Sequence, residues 1–256
     1  MIKHIYRSKL DIENLSRLRT SISNEIDKFD YKKLVVNKPW GYEYLMFENN
    51  YVAIWVLFIK KGFHTSMHCH PLKKTSLFVL SGRVRCSTLE GWDERAEGDG
   101  LILDEAVFHT TKAISKNGAF VMEIETPPNK KDLVRLKDEY GREGKGYEGT
   151  KKMSKDFAKY RYVDFHDFNN EKQSIKSLGN LNLSISYKTN PSDIQEILKQ
   201  ERGDMIALLQ GKIHDAKGNI LLAVGESIML TDIVSGSKLV SFGDICYLTI
   251  GKITKK

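Results

Sequence analysis

Three histidines have the spacing expected of ligands to one metal ion. His68 and His70 are separated by one residue, so on a β-strand their side chains point to the same face, about 7 Å apart along the backbone. His109 follows a glycine turn and a short apolar strand, and an antiparallel neighbour could bring its imidazole to the same place. The predicted cofactor is therefore one divalent metal ion (Zn, Fe, Mn or Ni) with coordination positions left open for substrate.

These histidines lie in a run of short β segments. Residues 42–47, 51–59, 77–80, 83–89, 101–103 and 119–124 are rich in β-branched, aromatic and apolar side chains, and turn residues separate them. Many short strands without helices between them predict an all-β sandwich or barrel. Residues 10–29 carry apolar side chains at spacings of three and four, which predicts an amphipathic helix on the outside of the β structure.

The last third of the chain resembles a weaker copy of this β run. Residues 78–84 match 207–213, residues 98–103 match 225–230, and residues 120–125 match 245–250 at similar separations. An internal duplication is one explanation, and shared turn chemistry in two unrelated β meanders is the other. We predict a helical segment at 1–35, a metal-binding barrel at 36–130, a connector with little regular structure at 131–176, and a second barrel without metal ligands at 177–256.

Two motifs in the first barrel resemble those of the cupin superfamily. They run from Gly62 through the two neighbouring histidines to Gly82, and from Gly98 to His109. The flanks are similar to a narrower family, the cupin domain of type II phosphomannose isomerases, over about residues 38–142: Pro39-Trp40-Gly41-Tyr42 and the stretch DLVRLKDEYGR at 132–142. The resemblance implies a double-stranded β-helix, jelly-roll-like, that holds a divalent metal. It also implies interconversion of mannose 6-phosphate and fructose 6-phosphate, in a domain often fused to a mannose 1-phosphate guanylyltransferase.

The chain departs from the first cupin motif at one position. The motif carries a glutamate seven residues before its closing glycine, where this sequence has Thr75. Three neutral ligands would leave the ion its full positive charge, which attracts an anionic ligand. Lys73, Lys74 and Thr75 are therefore candidates to hold a phosphate or carboxylate, with a solvated hairpin as the alternative. Glu123 or Glu125 could supply the missing oxygen or act as the catalytic base.

Further substrate contacts are predicted after and before the barrel motif. Arg135 and Arg142 resemble the family's residues after the barrel, and a planar guanidinium can grip phosphate with two hydrogen bonds. Structural ion pairs with neighbouring acidic residues are the alternative. His64 shares strand parity with His68 and His70, which makes it either a substrate contact or a histidine at the rim.

Composition and charge limit the kinds of binding partner and the compartment that we expect. The chain has 256 residues and a net charge of +7, but no nucleic-acid-binding motif accompanies the basic excess, so we expect a solvated basic surface and no nucleic-acid partner. No apolar run approaches the roughly 20 residues of a membrane span. Three scattered cysteines fit a reducing compartment, and we expect a cytoplasmic protein. A homodimer formed through the second barrel is a further possibility.

Three functions agree with these patterns. The first is a metal-dependent isomerase or epimerase acting on a sugar phosphate or nucleotide sugar in surface-polysaccharide biosynthesis. The second is oxygen chemistry, because a three-histidine ferrous site resembles that of cupin thiol dioxygenases. The third is a sugar-binding cupin without catalysis, which the missing glutamate and the weaker second repeat would explain.

Overall fold

The computed structural model describes the chain at residues 1–18, 28–142, 147, 149–201, 203–236 and 238–253. The later part of the predicted amphipathic helix, residues 19–27, lies outside the described residues. Within these ranges, every helix is too short or too polar to cross a membrane.

The first half consists almost entirely of strands. Its elements, in chain order, are β1 (Ile2–Ile5), α1 (Lys9–Arg17), β2 (Val35–Lys38), β3 (Gly41–Glu48), β4 (Ala53–Ile59), β5 (Met67–Cys69), β6 (Lys74–Ser81), β7 (Arg83–Thr88), β8 (Trp92–Ala96), β9 (Gly100–Leu103), β10 (His109–Ala113), β11 (Ala119–Thr126) and β12 (Val134–Lys137).

Strands β4 to β11 form a jelly roll. One sheet has the order β4-β11-β6-β9 and the facing sheet has the order β5-β10-β7-β8, so successive strands from β4 to β11 are distributed over two sheets. Eight strands in two interlocked Greek keys are the arrangement of jelly rolls, the cupins among them. The predicted all-β cupin fold is therefore confirmed, with two facing sheets rather than one continuous closed barrel in the described part of the chain.

The N-terminal segment differs from the prediction. Strand β1, which we did not predict, pairs in parallel with β9. Helix α1 is present and begins at a capping box in which Ser8 and Asp11 satisfy each other's backbone amides. Its one buried side chain is that of Asp11, and Leu15 and the C-cap residue Leu18 are partly buried against the first half. Leu10 and Ile12, which fall in the range predicted as the amphipathic helix, are exposed.

The predicted connector contains regular structure. Strand β12 pairs with β5 and extends the sheet that carries His68. After it come a 3-10 helix (Thr150–Lys152), β13 (Met153–Ser154), which pairs with β2, and a second 3-10 helix (Phe157–Lys159). Strands β12 and β13 were not predicted because four and two residues are too few to show a period-two pattern.

The second half repeats most of the same strand order. Its elements are β14 (Ser174–Leu178), β15 (Leu181–Lys188), α2 (Ile194–Lys199), β16 (Met205–Gln210), β17 (Ile213–Asp215), β18 (Ile220–Leu222), β19 (Ser227–Met229), α3 (Leu230–Val234), β20 (Leu239–Ser241) and β21 (Ile245–Lys252). The order β15-β21-β16-β19 matches β4-β11-β6-β9, and β20-β17-β18 matches β10-β7-β8. Helix α2 lies where the first half has β5, the strand of His68.

The two halves pack sheet against sheet. The outer face of the β4-β11-β6-β9 sheet and the facing sheet of the second half share one cluster of buried side chains, which includes Tyr44, Ile54, Met122, Leu183, Ala207 and Leu248. Polar contacts lie at its edge: Ser76 donates to the carbonyl of Gly225 at 2.6 Å, and Lys74 pairs with Glu226 at 2.9 Å. The sheet that supports the cavity of the first half is therefore buried on both faces.

Gly225→Ala should lower the free energy of unfolding by about 2–4 kcal/mol. A Cβ at this position would lie 1.9 Å from the hydroxyl oxygen of Thr126 in the other half, and the backbone has φ +81°. Gly218 also has a positive φ, +88°, but open space around it. Gly218→Ala should therefore lower the free energy of unfolding only through the strained backbone conformation, by about 1–2 kcal/mol. Urea denaturation of both variants measures the difference. Equal midpoints would show that the halves do not meet at Thr126.

Candidate metal centre

The jelly roll brings the three predicted histidines together. His109 on β10 lies directly opposite His68 on β5, and His70 follows one residue after β5 ends. The ring centroids are 4.5 Å apart for His68 and His109, 5.1 Å for His68 and His70, and 5.7 Å for His70 and His109. One ring nitrogen of each lies within 4.8 Å of those of the other two. Cys69 points to the opposite face and is fully buried, as expected for a core residue.

The backbone fixes the orientation of all three rings. The Nδ1 atom lies 2.8 Å from the carbonyl of Ser66 for His68, 2.6 Å from that of Asp132 for His70, and 3.0 Å from that of Val107 for His109. A carbonyl oxygen only accepts, so each Nδ1 carries a proton, and in a neutral ring this leaves the lone pair on Nε2. Metal-binding histidines are commonly oriented in this way by the second ring nitrogen.

The rings of His68 and His109 are held in the neutral form. Burial and the neighbouring imidazoles lower the pKa of His68 well below its ordinary value. Burial, followed by the effect of His70, lowers the pKa of His109 to about 4. Neutral imidazole is the form that coordinates a metal. Among the described residues, the Nε2 atom of His70 has no hydrogen-bond partner, and it is buried. Burying an unpaired polar atom is unfavourable in free energy, and a bound cation would remove that cost. These residues fit a divalent metal ion.

Segments distant in sequence support the histidines. Asp11 of helix α1 accepts a hydrogen bond from the backbone amide of Phe108, directly before His109, at 2.9 Å. Asp132 holds His70 through its carbonyl, and its side chain accepts from the amide of Leu72 at 3.0 Å. Helix α1 and the segment before β12 are thus part of the site's framework.

The two predicted glutamates lie inside the jelly roll beside the histidines. Glu123 and Glu125 are two residues apart on β11, so both side chains point to the same face, the interior. An oxygen of Glu123 is 3.5 Å from Nε2 of His70. Burial alone would raise the pKa of Glu123, but His70 and Lys130 outweigh it and the pKa is lowered. The carboxylate is therefore ionised at neutral pH.

Glu125 is held by two lysines instead. Its carboxylate lies 3.1 Å from the ammonium of Lys73 and 3.2 Å from that of Lys130. Burial would raise the pKa of Glu125, but Lys130 and Lys73 lower it. Predicted residue Lys73 therefore lies in the site as a buried partner of a glutamate, and not in a solvated hairpin.

The sequence analysis missed three charged residues of this network. Lys130 also lies 3.4 Å from Glu43, which Lys38 approaches at 3.4 Å, and its ammonium is 3.7 Å from the centre of the Trp55 ring. Burial alone would lower the pKa of Lys130, but the surrounding carboxylates raise it. Glu43 could have been recognised from the sequence, because a charged residue within the otherwise apolar, buried part of a strand is unusual.

These side chains line one cavity of about 450 Å³, its mouth included. Its wall contains two of the candidate ligands, the glutamates, the lysines and both predicted arginines: His68, His70, Glu43, Glu123, Glu125, Lys38, Lys73, Lys130, Arg135 and Arg142. Arg142 also pairs with Asp138 at 2.6 Å, the structural alternative considered for it.

Three predicted substrate contacts have other surroundings. Lys74 points away from the cavity to Glu226 of the second half, because it alternates with Lys73 along the strand; it is not a contact at this site. His64 lies at the rim, where its ring is 3.0 Å from Glu139, since β5 begins only at Met67 and strand parity does not extend back to it. Thr75 is buried opposite Glu125, with its hydroxyl unpaired.

Comparisons with known proteins found similar solved structures. No protein-family model and no curated protein matches the sequence. An RmlC-like cupin from Shewanella frigidimarina matches with a TM-score of 0.34 and 15% identity, over 41% of this chain and 93% of that one. A sugar phosphate isomerase of the cupin superfamily from Silicibacter pomeroyi gives 0.34 and 10%, over 41% and 76%.

The capsular polysaccharide assembling protein CapF from Staphylococcus aureus also matches, with a TM-score of 0.36 and 14% identity over 41% of this chain and 34% of that one. The strand order and the converging histidines of the first half themselves define its class, a cupin-type jelly roll with a group that could hold a divalent metal.

Proposed function

We propose that the protein is a metal-dependent isomerase or epimerase of a phosphorylated or nucleotide-linked sugar. The observation that carries this proposal is that three imidazoles converge and two of them line a cavity that also contains buried carboxylates and a set of cationic side chains. The metal, held by His68, His70 and His109, would polarise a sugar carbonyl and its neighbouring hydroxyl.

The chain's own carboxylates would move the proton. Isomerisation of this type takes a carbon-bound proton next to the carbonyl and returns it to the adjacent carbon, so one base can perform both steps. Glu125 lies between two ammonium groups, which makes it a weak base. Glu123 faces the candidate metal centre and is the better candidate. Such a base typically contributes a factor of about 100 to 10,000 in rate.

The cationic wall of the cavity suits an anionic substrate. Lys38, Lys73, Lys130, Arg135 and Arg142 outnumber the glutamates Glu43, Glu123 and Glu125 around it. A divalent metal would add further positive charge. A phosphate group would balance this excess, and the guanidinium groups of Arg135 and Arg142 in the cavity wall would be its partners.

The wider setting follows from the same proposal. We propose a role in surface-polysaccharide biosynthesis and an architecture of two cupin barrels, divided at 36–130 and 177–256, of which only the first binds metal. Both groups of potential ligands among the described residues lie in the first half. A cytoplasmic location and a homodimer stay predictions.

The test is metal analysis combined with a turnover assay. Purified protein should contain about one equivalent of a divalent metal by plasma mass spectrometry, and it should interconvert mannose 6-phosphate and fructose 6-phosphate. Chelation should remove both metal and turnover, and readdition of Zn, Mn, Ni or Fe should restore them. Unchanged turnover after complete metal removal would contradict the proposal. Thiol-dependent oxygen uptake by the iron-loaded protein, without isomerisation, would indicate the dioxygenase instead.

A further inference from the structure

We infer that Glu123 is the fourth protein ligand of the metal, replacing the carboxylate that the cupin motif would place at Thr75. This inference rests on the proposed metal centre and assigns a residue that the sequence motif does not contain. The carboxylate ligand would then come from strand β11, the neighbour of β6, and not from β6 itself.

The geometry around His70 supports this assignment. His70 belongs to two overlapping groups of potential ligands, one with His68 and His109 and one with Glu123 and Glu125, and within each group the ligand atoms lie within 4.8 Å of one another. The His70 Nε2 atom is buried, has no hydrogen-bond partner, and lies 3.5 Å from Glu123. Two atoms with lone pairs, buried side by side, are stabilised when a cation lies between them.

The surroundings single out Glu123 over Glu125. Glu125 is 1% exposed and has two lysine ammonium groups within 3.2 Å, so its charge is already compensated. Among the residues that the structure describes, Glu123 has one ion-pair partner within 4 Å, the imidazole of His70, and no ammonium group at that distance. A buried carboxylate next to neutral imidazoles requires a cation.

The strand register explains how the exchange is possible. Thr75 on β6 is paired with Glu125 on β11, and Glu123 is paired with Leu77. Glu123 is therefore a diagonal neighbour of Thr75 on the inner face. Diagonal neighbours lie about 7–8 Å apart, within reach of a long side chain, so the Glu123 carboxylate can reach the region that a motif glutamate on β6 would reach. Among the described residues, the buried hydroxyl of Thr75 has no hydrogen-bond partner, so Thr75 itself contributes no polar contact at the motif position.

The experiment measures Co²⁺ binding by the full chain, with the visible absorption spectrum of the bound ion as the readout. Glu123→Gln should raise the dissociation constant by at least about 100-fold, the upper end of the loss seen for outer-shell partners, and should change the spectrum. The matched control neutralises the neighbouring carboxylate together with its lysine, Lys73→Met/Glu125→Gln, and should stay within about threefold of wild type.

Returning a carboxylate to the motif position gives a second test. Thr75→Glu in the Glu123→Gln background should regain Co²⁺ affinity, whereas Thr75→Gln in the same background should not. The inference is overturned if Glu123→Gln binds Co²⁺ like wild type, if the control pair loses as much affinity, or if Thr75→Gln restores binding equally well. Wild-type protein that binds no Co²⁺ would instead defeat the proposed metal centre.

Discussion

His70→Ala should abolish both metal binding and sugar-phosphate turnover. His70 is the ligand shared by both groups of potential metal donors, it is 6% exposed, and the carbonyl of Asp132 fixes its ring. Losing it removes a direct donor, so the metal dissociation constant should rise by more than the roughly 100-fold upper cost of an outer-shell change. Equilibrium dialysis with Zn²⁺ and the isomerase assay measure the two effects.

His64→Ala is the matched control, because His64 lies six residues earlier in the same segment but points to Glu139 at the rim. It should retain wild-type metal content. Equal loss in both variants would mean that the segment, and not a metal site, requires these histidines. Full metal occupancy in His70→Ala would contradict the site as described.

The second large effect should come from Lys130. Its ammonium lies within 3.4 Å of Glu43 and Glu125 and against the Trp55 ring, in a nearly buried position. Lys130→Met would leave two carboxylates with one lysine each in a region that water scarcely reaches. Breaking a buried ion pair by removing one partner costs about 3–5 kcal/mol. Urea denaturation followed by circular dichroism should show that decrease in the free energy of unfolding.

An exposed lysine provides the comparison. Lys159 pairs with Asp156 at 2.9 Å, but both side chains are largely in solvent, and such pairs contribute little. Lys159→Met should leave the urea midpoint unchanged. A Lys130→Met midpoint equal to that of wild type would show that the cavity charges are solvated and not paired.

Local patterns in the sequence were enough for the jelly roll and the histidines. The strands of six to eight residues show their β character over their own length, and the spacing of His68, His70 and His109 is fixed by strand parity and by one turn. Those features depend on neighbours in sequence. Pattern analysis detects such features well.

Non-local pairing accounts for most of what was missed. Strand β1 is four residues long and has its partner β9 almost a hundred residues away, and β12 is equally short and pairs with β5. Lys74 was assigned to the wrong face because its partner, Glu226, belongs to the other half of the chain. The Lys38, Glu43 and Lys130 network was missed because Lys130 joins it from a segment distant in sequence, and only Glu43 stood out locally.

The packing of one half on the other has a practical consequence for work on this protein. A fragment ending near residue 142 would contain every candidate ligand, yet it would expose to water the apolar outer face formed by residues such as Tyr44, Ile54 and Met122. Large exposed apolar patches promote aggregation. A unit suitable for expression therefore includes both halves, even though the proposed chemistry takes place within the first.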